Sequence, residues 1–246
     1  MNKAIALLRR SVFSVLAIAA AGILFTSCLK NKDDNGNIPS AGLMAFNLAP
    51  DQQSVVVTLD GNILTQSPLA YTNYTGVYQR VYVGSRSIAA YHYPNNHSLA
   101  AANAVFGQDK YYSVFLVGSD SSYRNVVSVD NFDSLSATSG NAYVRYINAI
   151  TDSVNLPAVT ITAGSNNVVN ENAAYASVSE FKAVTPGSIN VAVKNNNGVD
   201  ASRSITVEQN KVYTILLTGK PGATDETTKV QVKFVSNGTI TDDSSK

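Results

Sequence analysis

The chain has 246 residues, 45% of them apolar and 14% charged, with 13 tyrosines, no tryptophan and a formal net charge of +1. That length holds one large domain or two of ordinary size, and the apolar share is enough for a packed core rather than a disordered polyelectrolyte. The near-neutral balance supplies no basic field for nucleic acid, and a single cysteine excludes an internal disulfide framework or a multi-cysteine metal cluster.

Lys3, Arg9 and Arg10 open the chain, and Ser11 to Phe25 follow without a charge. An apolar run of about fifteen residues matches a secretory h-region and falls short of the roughly 20 that a membrane span needs. Leu24-Phe25-Thr26-Ser27-Cys28 then resembles a bacterial lipobox. The resemblance implies lipidation of Cys28 and cleavage just before it, against the plainer alternative of an ordinary signal peptide with an incidental cysteine. Residues 1–27 are therefore expected to be a lipoprotein signal peptide, and 28–40 a lipidated cysteine with a flexible tether. Removing 1–27 leaves 15 basic against 17 acidic residues. Acyl chains such as palmitate, at about 0.8 kcal/mol per buried methylene, would then hold the membrane, not attraction to anionic lipid. Lys32-Asp33-Asp34 is similar to the export signal of Bacteroidota-type surface lipoproteins, which implies the outer membrane, facing the exterior. A charged tether is equally intelligible without a sorting role.

Beyond the tether the sequence repeats itself at a spacing near one hundred. Gly107 to Gly118 (GQDKYYSVFLVG) aligns with Glu208 to Gly219 (EQNKVYTILLTG), with five identities in twelve positions. The same offset matches Phe46-Asn47 with Ile147-Asn148 and Asp51 with Asp152. A slightly larger one matches Val81 to Ser85 with Val184 to Ser188. The expected organisation is two tandem domains, 41–138 and 139–240, with a polar tail at 241–246.

Both copies read as strand. Ser54 to Leu59 runs into Asp60-Gly61, a hairpin signal, and Val159 to Thr162 runs into Ala163-Gly164. Tyr71, Tyr74, Tyr78 and Tyr82 fall at helical spacing, but the β-branched residues among them favour strand or loop. Val191 and Val193 alternate with polar neighbours, and Tyr213 to Leu217 and Val230 to Val235 give further strands. Many short strands without a long amphipathic helix predict an all-β chain of two tandem antiparallel β-sandwich domains. Asn47 and Asn148 are expected to satisfy loop amides, Gly84 and Gly187 to take positive φ, and Tyr112 and Tyr213 to bury a ring whose hydroxyl reaches a partner.

Three motifs recur across the copies: Asn-x-x-x-Asp after the first strand, Tyr/Phe-x-x-Val-x-x-Gly, and a late Lys-x-Tyr-[Ser/Thr]-[Val/Ile]-[Phe/Leu]-Leu-x-Gly strand. Together they resemble domain of unknown function 4397 over residues 42–220. That resemblance implies immunoglobulin- or transthyretin-like β-sandwich modules, often in tandem, in bacterial surface lipoproteins or wall-anchored proteins that are often described as adhesion or anchoring proteins. The first copy departs in one place, with Met44 where the second has Arg145.

No nucleophile elbow, His-Glu-x-x-His or phosphate-binding glycine loop is present, and the two histidines, His92 and His97, lack an evident third metal ligand. The expectation is a protein that is not an enzyme and needs no cofactor or metal. Nine of the thirteen tyrosines lie in the first copy, which makes Tyr71, Tyr74, Tyr78, Tyr91 and Tyr93 candidates for a binding surface against the alternative that they are core. The partner would be a surface glycan or a protein, with no nucleic acid. Asp133-Ser134-Leu135 and Asp152-Ser153-Val154 resemble the O-glycosylation acceptors of Bacteroidota-type bacteria. The functional expectation is a cell-surface adhesion, scaffold or ligand-binding lipoprotein; the alternative is a carbohydrate-binding accessory lipoprotein of a nutrient-uptake complex.

Overall fold

The computed structural model describes residues 38–152 and 154–241. The signal segment, Cys28, most of the tether, Ser153 and residues 242–246 lie outside the described residues. From Pro39 onward the chain forms one compact unit. Among the described residues no helix is long and apolar enough to cross a membrane.

The first repeat contributes β1 (Ser40–Asn47), β2 (Ser54–Leu59), β3 (Asn62–Ile63), β4 (Leu69–Ala70), β5 (Gln79–Tyr82), β6 (Gly84–His92), β7 (Ser98–Phe106), β8 (Tyr111–Ser119) and β9 (Ser122–Asp130). Two 3-10 turns, Phe132–Ser134 and Ala137–Ser139, lead to the second repeat. This contains β10 (Ala142–Ile150), β11 (Ala158–Ala163), β12 (Asn166–Asn172), β13 (Lys182–Val184), β14 (Gly187–Lys194), β15 (Asp200–Val207), β16 (Lys211–Gly219) and β17 (Gln231–Thr239).

Each repeat is a sandwich, as the strand pattern predicts. One sheet orders as β5-β1-β8-β9, with β13-β10-β16-β17 as its counterpart; the other orders as β3-β2-β6-β7, with β12-β11-β14-β15 as its counterpart. The pairing is not wholly antiparallel, because β1 runs parallel to β8 and β10 parallel to β16. Those partners lie far apart in sequence, so the chain returns to the same end before adding the strand, which a tight hairpin cannot do.

Burial follows the side-chain alternation. Leu43, Ala45, Val114 and Leu116 point into the first sandwich core with Val55, Val57 and Ile88. Val144, Tyr146, Ile215 and Leu217 do the same in the second with Ile161, Val191 and Val193. On the opposite faces of these strands, Met44, Phe46, Phe115 and Val117 meet Ile147, Ala149 and Leu216 in a third cluster. The molecule is therefore four layers deep, with the two inner sheets face to face, and β10 is buried along its whole length.

The repeat-matched residues do parallel work. Asn47 Nδ2 donates to the carbonyls of Gln52 and Leu69 (2.8 and 3.1 Å), and Asn148 Nδ2 to those of Ala173 and Ala174 (3.1 and 3.3 Å). The side-chain oxygen of each accepts the amide two residues on. Gly84 and Gly187 have φ of 101° and 129°. Tyr112 Oη accepts from the Gly107 amide at 2.9 Å and Tyr213 Oη from the Glu208 amide at 3.1 Å, both rings being buried. Asp51 and Asp152 diverge: Asp51 accepts from the Asp120 amide and Tyr123, whereas Asp152 holds the amides of Val154 and Asn155.

Candidate functional site

A buried polar cluster occupies the seam between the repeats. Arg145, alone among the inward positions of β10 in carrying a charge, meets Asp130 at 2.6 Å, with side-chain exposures of 1% and 0%. Its Nε donates to Thr214 Oγ1 and its Nη2 to Ser113 Oγ, both at 3.0 Å. Ser113 Oγ in turn donates to Asp130 Oδ2 at 2.6 Å, and Thr214 Oγ1 to Asn237 Oδ1 at 2.6 Å. Ser113–Asp130 and Thr214–Asn237 are thus equivalent pairs from the two repeats, with one guanidinium between them.

Tyr78 and Phe181 begin the same motif in the two copies, and both close over this cluster. Tyr78 Oη donates to Asp130 Oδ2 and accepts from Asn237 Nδ2 at 3.0 Å, while the Phe181 ring lies 4.5 Å from the Arg145 guanidinium. Burial first, and then the Asp130 charge, push the Tyr78 hydroxyl far above the ordinary phenol range. It stays protonated and remains a donor.

The five tyrosines expected to form one surface are divided by the fold. Tyr71 Oη and Thr218 Oγ1 are hydrogen-bonded at 2.9 Å, across the seam, and Tyr74 stacks on Phe46 with centroids 5.4 Å apart and rings 12° from parallel. Tyr78 belongs to the cluster just described. Tyr91 is half-buried near the end of β6, and only Tyr93, at 47% exposure, stands out into solvent beside the following hairpin tip. Tyr71, Tyr74 and Tyr78 thus pack at the joint, and the hydroxyls of Tyr71 and Tyr78 bridge to the second repeat. Ser134 is exposed, with its hydroxyl donating to the Asn131 carbonyl at 2.7 Å.

Sequence reasoning missed the clefts. The irregular stretch 62–82 of the first repeat, longer and less regular than its counterpart, contributes to four of them. An aromatic one of about 290 Å³ has walls of Tyr78, Tyr111, Phe132 and Ile240. A neighbouring one of about 230 Å³ is bounded by Gly42, Tyr78, Arg80 and Tyr111. A third of about 320 Å³ lies beside Asn62, Arg80 and Tyr82. The fourth, about 180 Å³, is lined by Thr65, Gln66, Ser67, Tyr74 and Gln79 among others.

At the opposite end, His92 Nδ1 is 2.8 Å from Gln52 Oε1, and Gln52 Nε2 donates to Tyr123 Oη, which donates to Asp51 Oδ2. Lys220 of the second repeat reaches Asp120 at 2.8 Å, which raises the lysine pKa through that hydrogen bond and the accompanying charge. Among the described residues no three His, Cys, Asp or Glu side chains converge as a metal site would require.

No curated protein matches the sequence. Among solved structures, the chain is similar to a family 26 carbohydrate-binding module from Eubacterium rectale in complex with maltoheptaose. The identity is 11% and the TM-score 0.27, covering 81% of this chain and 98% of that one. It is also similar to a "putative cell adhesion protein" from Bacteroides eggerthii, at 10% identity and a TM-score of 0.23, covering 80% and 94%. A further "putative cell adhesion protein", from Bacteroides uniformis, gives 12% identity and a TM-score of 0.20, covering 81% and 99%. The model of the domain of unknown function DUF4397 matches residues 41–156 and 142–239. With both repeats matched, over most of the sequence, the chain belongs to the DUF4397 family.

Proposed function

We propose that the protein is a non-catalytic module of the cell surface, lipid-anchored in the outer membrane through Cys28, that holds an extracellular ligand in adhesion or as a scaffold. The arrangement of its ends carries this reading. β1 is parallel to β8 and β10 to β16, and the turns after β8 and β16 are joined by Asp120 and Lys220. The repeats therefore lie side by side with the same polarity. The chain enters at Ser40, while the tips at 93–97, 120–121 and 195–198 gather at the other end. Cys28 precedes Ser40 by twelve residues, at most about 40 Å of extended chain. An acylated Cys28 would tether the body at Ser40, at the end opposite those tips.

Asp51, Asp130 and Glu171 accept hydrogen bonds from Tyr123, Tyr78 and Tyr146, so each carboxylate already has a structural partner. Burial, followed by the hydrogen bond to Glu171, raises the Tyr146 hydroxyl well above its usual range, and it too stays a donor. Ser134 and Ser153 are the proposed O-glycan acceptors, and intact mass of the mature protein reads their occupancy.

The second reading, a carbohydrate-binding accessory lipoprotein of an uptake complex, is favoured by the uncharged lining of the smallest cleft. Cells expressing the natural chain and Cys28→Ser test the anchor and the display together. The natural chain is expected to incorporate a palmitate probe, to fractionate with membranes and to be cut by protease added to intact cells. Cys28→Ser is expected to lose the label and appear in the soluble fraction. An unlabelled natural chain, or one protected in intact cells, would contradict the proposal.

A further inference from the structure

The 180 Å³ cleft differs in chemistry from the others. Thr65 lines it at 5% exposure, yet its hydroxyl has no hydrogen-bond partner among the described residues. A buried hydroxyl in that state bears its desolvation cost uncompensated, and native proteins leave few of them. Beside it stand Gln66, Ser67 and Gln79, whose side chains make no hydrogen bond among the described residues. Tyr74, fixed by its stacking on Phe46, and aliphatic side chains such as Leu69 and Val77 complete the wall.

None of the lining residues is charged. A phosphate, carboxylate or metal cation would meet no opposite charge there. Amides and hydroxyls that both donate and accept, next to an aromatic ring and aliphatic groups, match a ligand with alternating hydroxyls and C–H faces. The aromatic cleft is a weaker candidate, because the Tyr78 hydroxyl and Asn237 amide that it contains are already bonded to each other, to Asp130 and to Thr214.

We infer that the cleft around Thr65 holds one neutral sugar residue of a surface glycan. The inference rests on the ligand-binding reading above and gives it a location and a chemical class. The volume is that of roughly six waters and lies below the roughly 300 Å³ at which pockets for drug-sized ligands begin. One pyranose ring enters, and the rest of the glycan continues past Gln66, Ser67 and Val77, which are exposed.

The chain from Pro39 onward, which contains every strand found among the described residues, is the material for the test. It is applied to an array of immobilised neutral glycans ending in glucose, galactose, mannose or xylose, with sialylated and sulfated counterparts. The expected result is binding to at least one neutral series, competed by the corresponding monosaccharide and weakened at least tenfold in Thr65→Val and in Gln79→Ala. Thr65→Val keeps the side-chain shape and removes an unpartnered hydroxyl, so its melting temperature should equal or exceed that of the natural chain. That separates lost binding from lost folding. Neutral binding of undiminished strength in both variants overturns the site while leaving the ligand-binding reading intact. Binding confined to charged glycans overturns the sugar class. Capture of a protein ligand with no glycan bound overturns the inference and leaves adhesion standing; silence toward glycan and protein alike overturns both.

Discussion

Arg145→Met is expected to lower stability by about 3–5 kcal/mol, the usual consequence of removing one member of a buried ion pair. Asp130 would keep the hydroxyls of Ser113 and Tyr78 but lose the guanidinium that pairs with it, in a place with no exposure to water. Asp130→Asn is expected to cost a similar amount, because it leaves the Arg145 charge buried against Phe181, Ser113 and Thr214. The double variant Arg145→Met/Asp130→Asn removes both charges. Asn still offers an oxygen to Ser113 and Tyr78, and methionine is what the first repeat carries at the equivalent position, Met44. Its loss should be about 1–2 kcal/mol, far less than the sum of the single changes. Urea denaturation read by linear extrapolation gives all four corners of the cycle. Additive losses would show that the two side chains do not stabilise the seam as a pair. A total stability of about 5–15 kcal/mol sets the scale, so either single change removes a large part of it.

The second large effect is expected at the glycines that end β8 and β16. Gly118 and Gly219 have φ of +124° and +120°, a region that L side chains rarely adopt. A Cβ on Gly118 would lie 2.1 Å from the Ser122 carbonyl oxygen, and one on Gly219 would lie 2.3 Å from that of Lys229. Both obstacles are backbone, and neither can rotate away. Alanine at either position combines backbone strain of about 1–3 kcal/mol with overpacking of about 1–3 kcal/mol. A loss of at least 3 kcal/mol is expected, with a melting temperature lowered by roughly 10 °C. Gly61→Ala is the control: φ is +80° there too, but nothing lies within 4 Å of the new Cβ, so only the conformational penalty of about 1 kcal/mol remains. Equal losses at all three would mean that the close approach of the chain at Gly118 and Gly219 is not what requires glycine. The two positions were already visible as identities in the aligned repeats, and the structure supplies the reason.

What the sequence made legible was local. Strands at Ser54–Leu59 and Lys211–Gly219 follow from β-branched runs and turn residues. The roles of Asn47, Asn148, Tyr112 and Tyr213 follow from recurring side chains at one offset. The seam was less visible, because a strand buried on one face and a strand buried on both differ only in whether polar residues interrupt the apolar run. Tyr112 to Val117 and Val212 to Leu217 are close to uninterrupted, and that was the available signal for a second buried face. Arg145 concealed it, since a charge in a strand ordinarily marks solvent. Only the partner sheet, where Asp130 stands opposite Tyr111 and its carboxylate accepts from Ser113 and pairs with Arg145, shows that the charge points inward. The tyrosine surplus was legible as a count, but its division between joint and surface depends on which strand faces which. The Thr65 cleft had no sequence signal, because a threonine, two glutamines and a serine in an irregular stretch read as an ordinary loop.

Binding without chemical change is the property on which the proposed function depends. The most direct measurement is to incubate the chain from Pro39 onward with the extracellular glycan that it retains, recover that glycan, and weigh it by mass spectrometry beside an untreated sample. Saturable retention with an identical mass distribution is the predicted result. Shortened or modified glycan that accumulates with time and protein concentration would contradict the account and make the protein an enzyme.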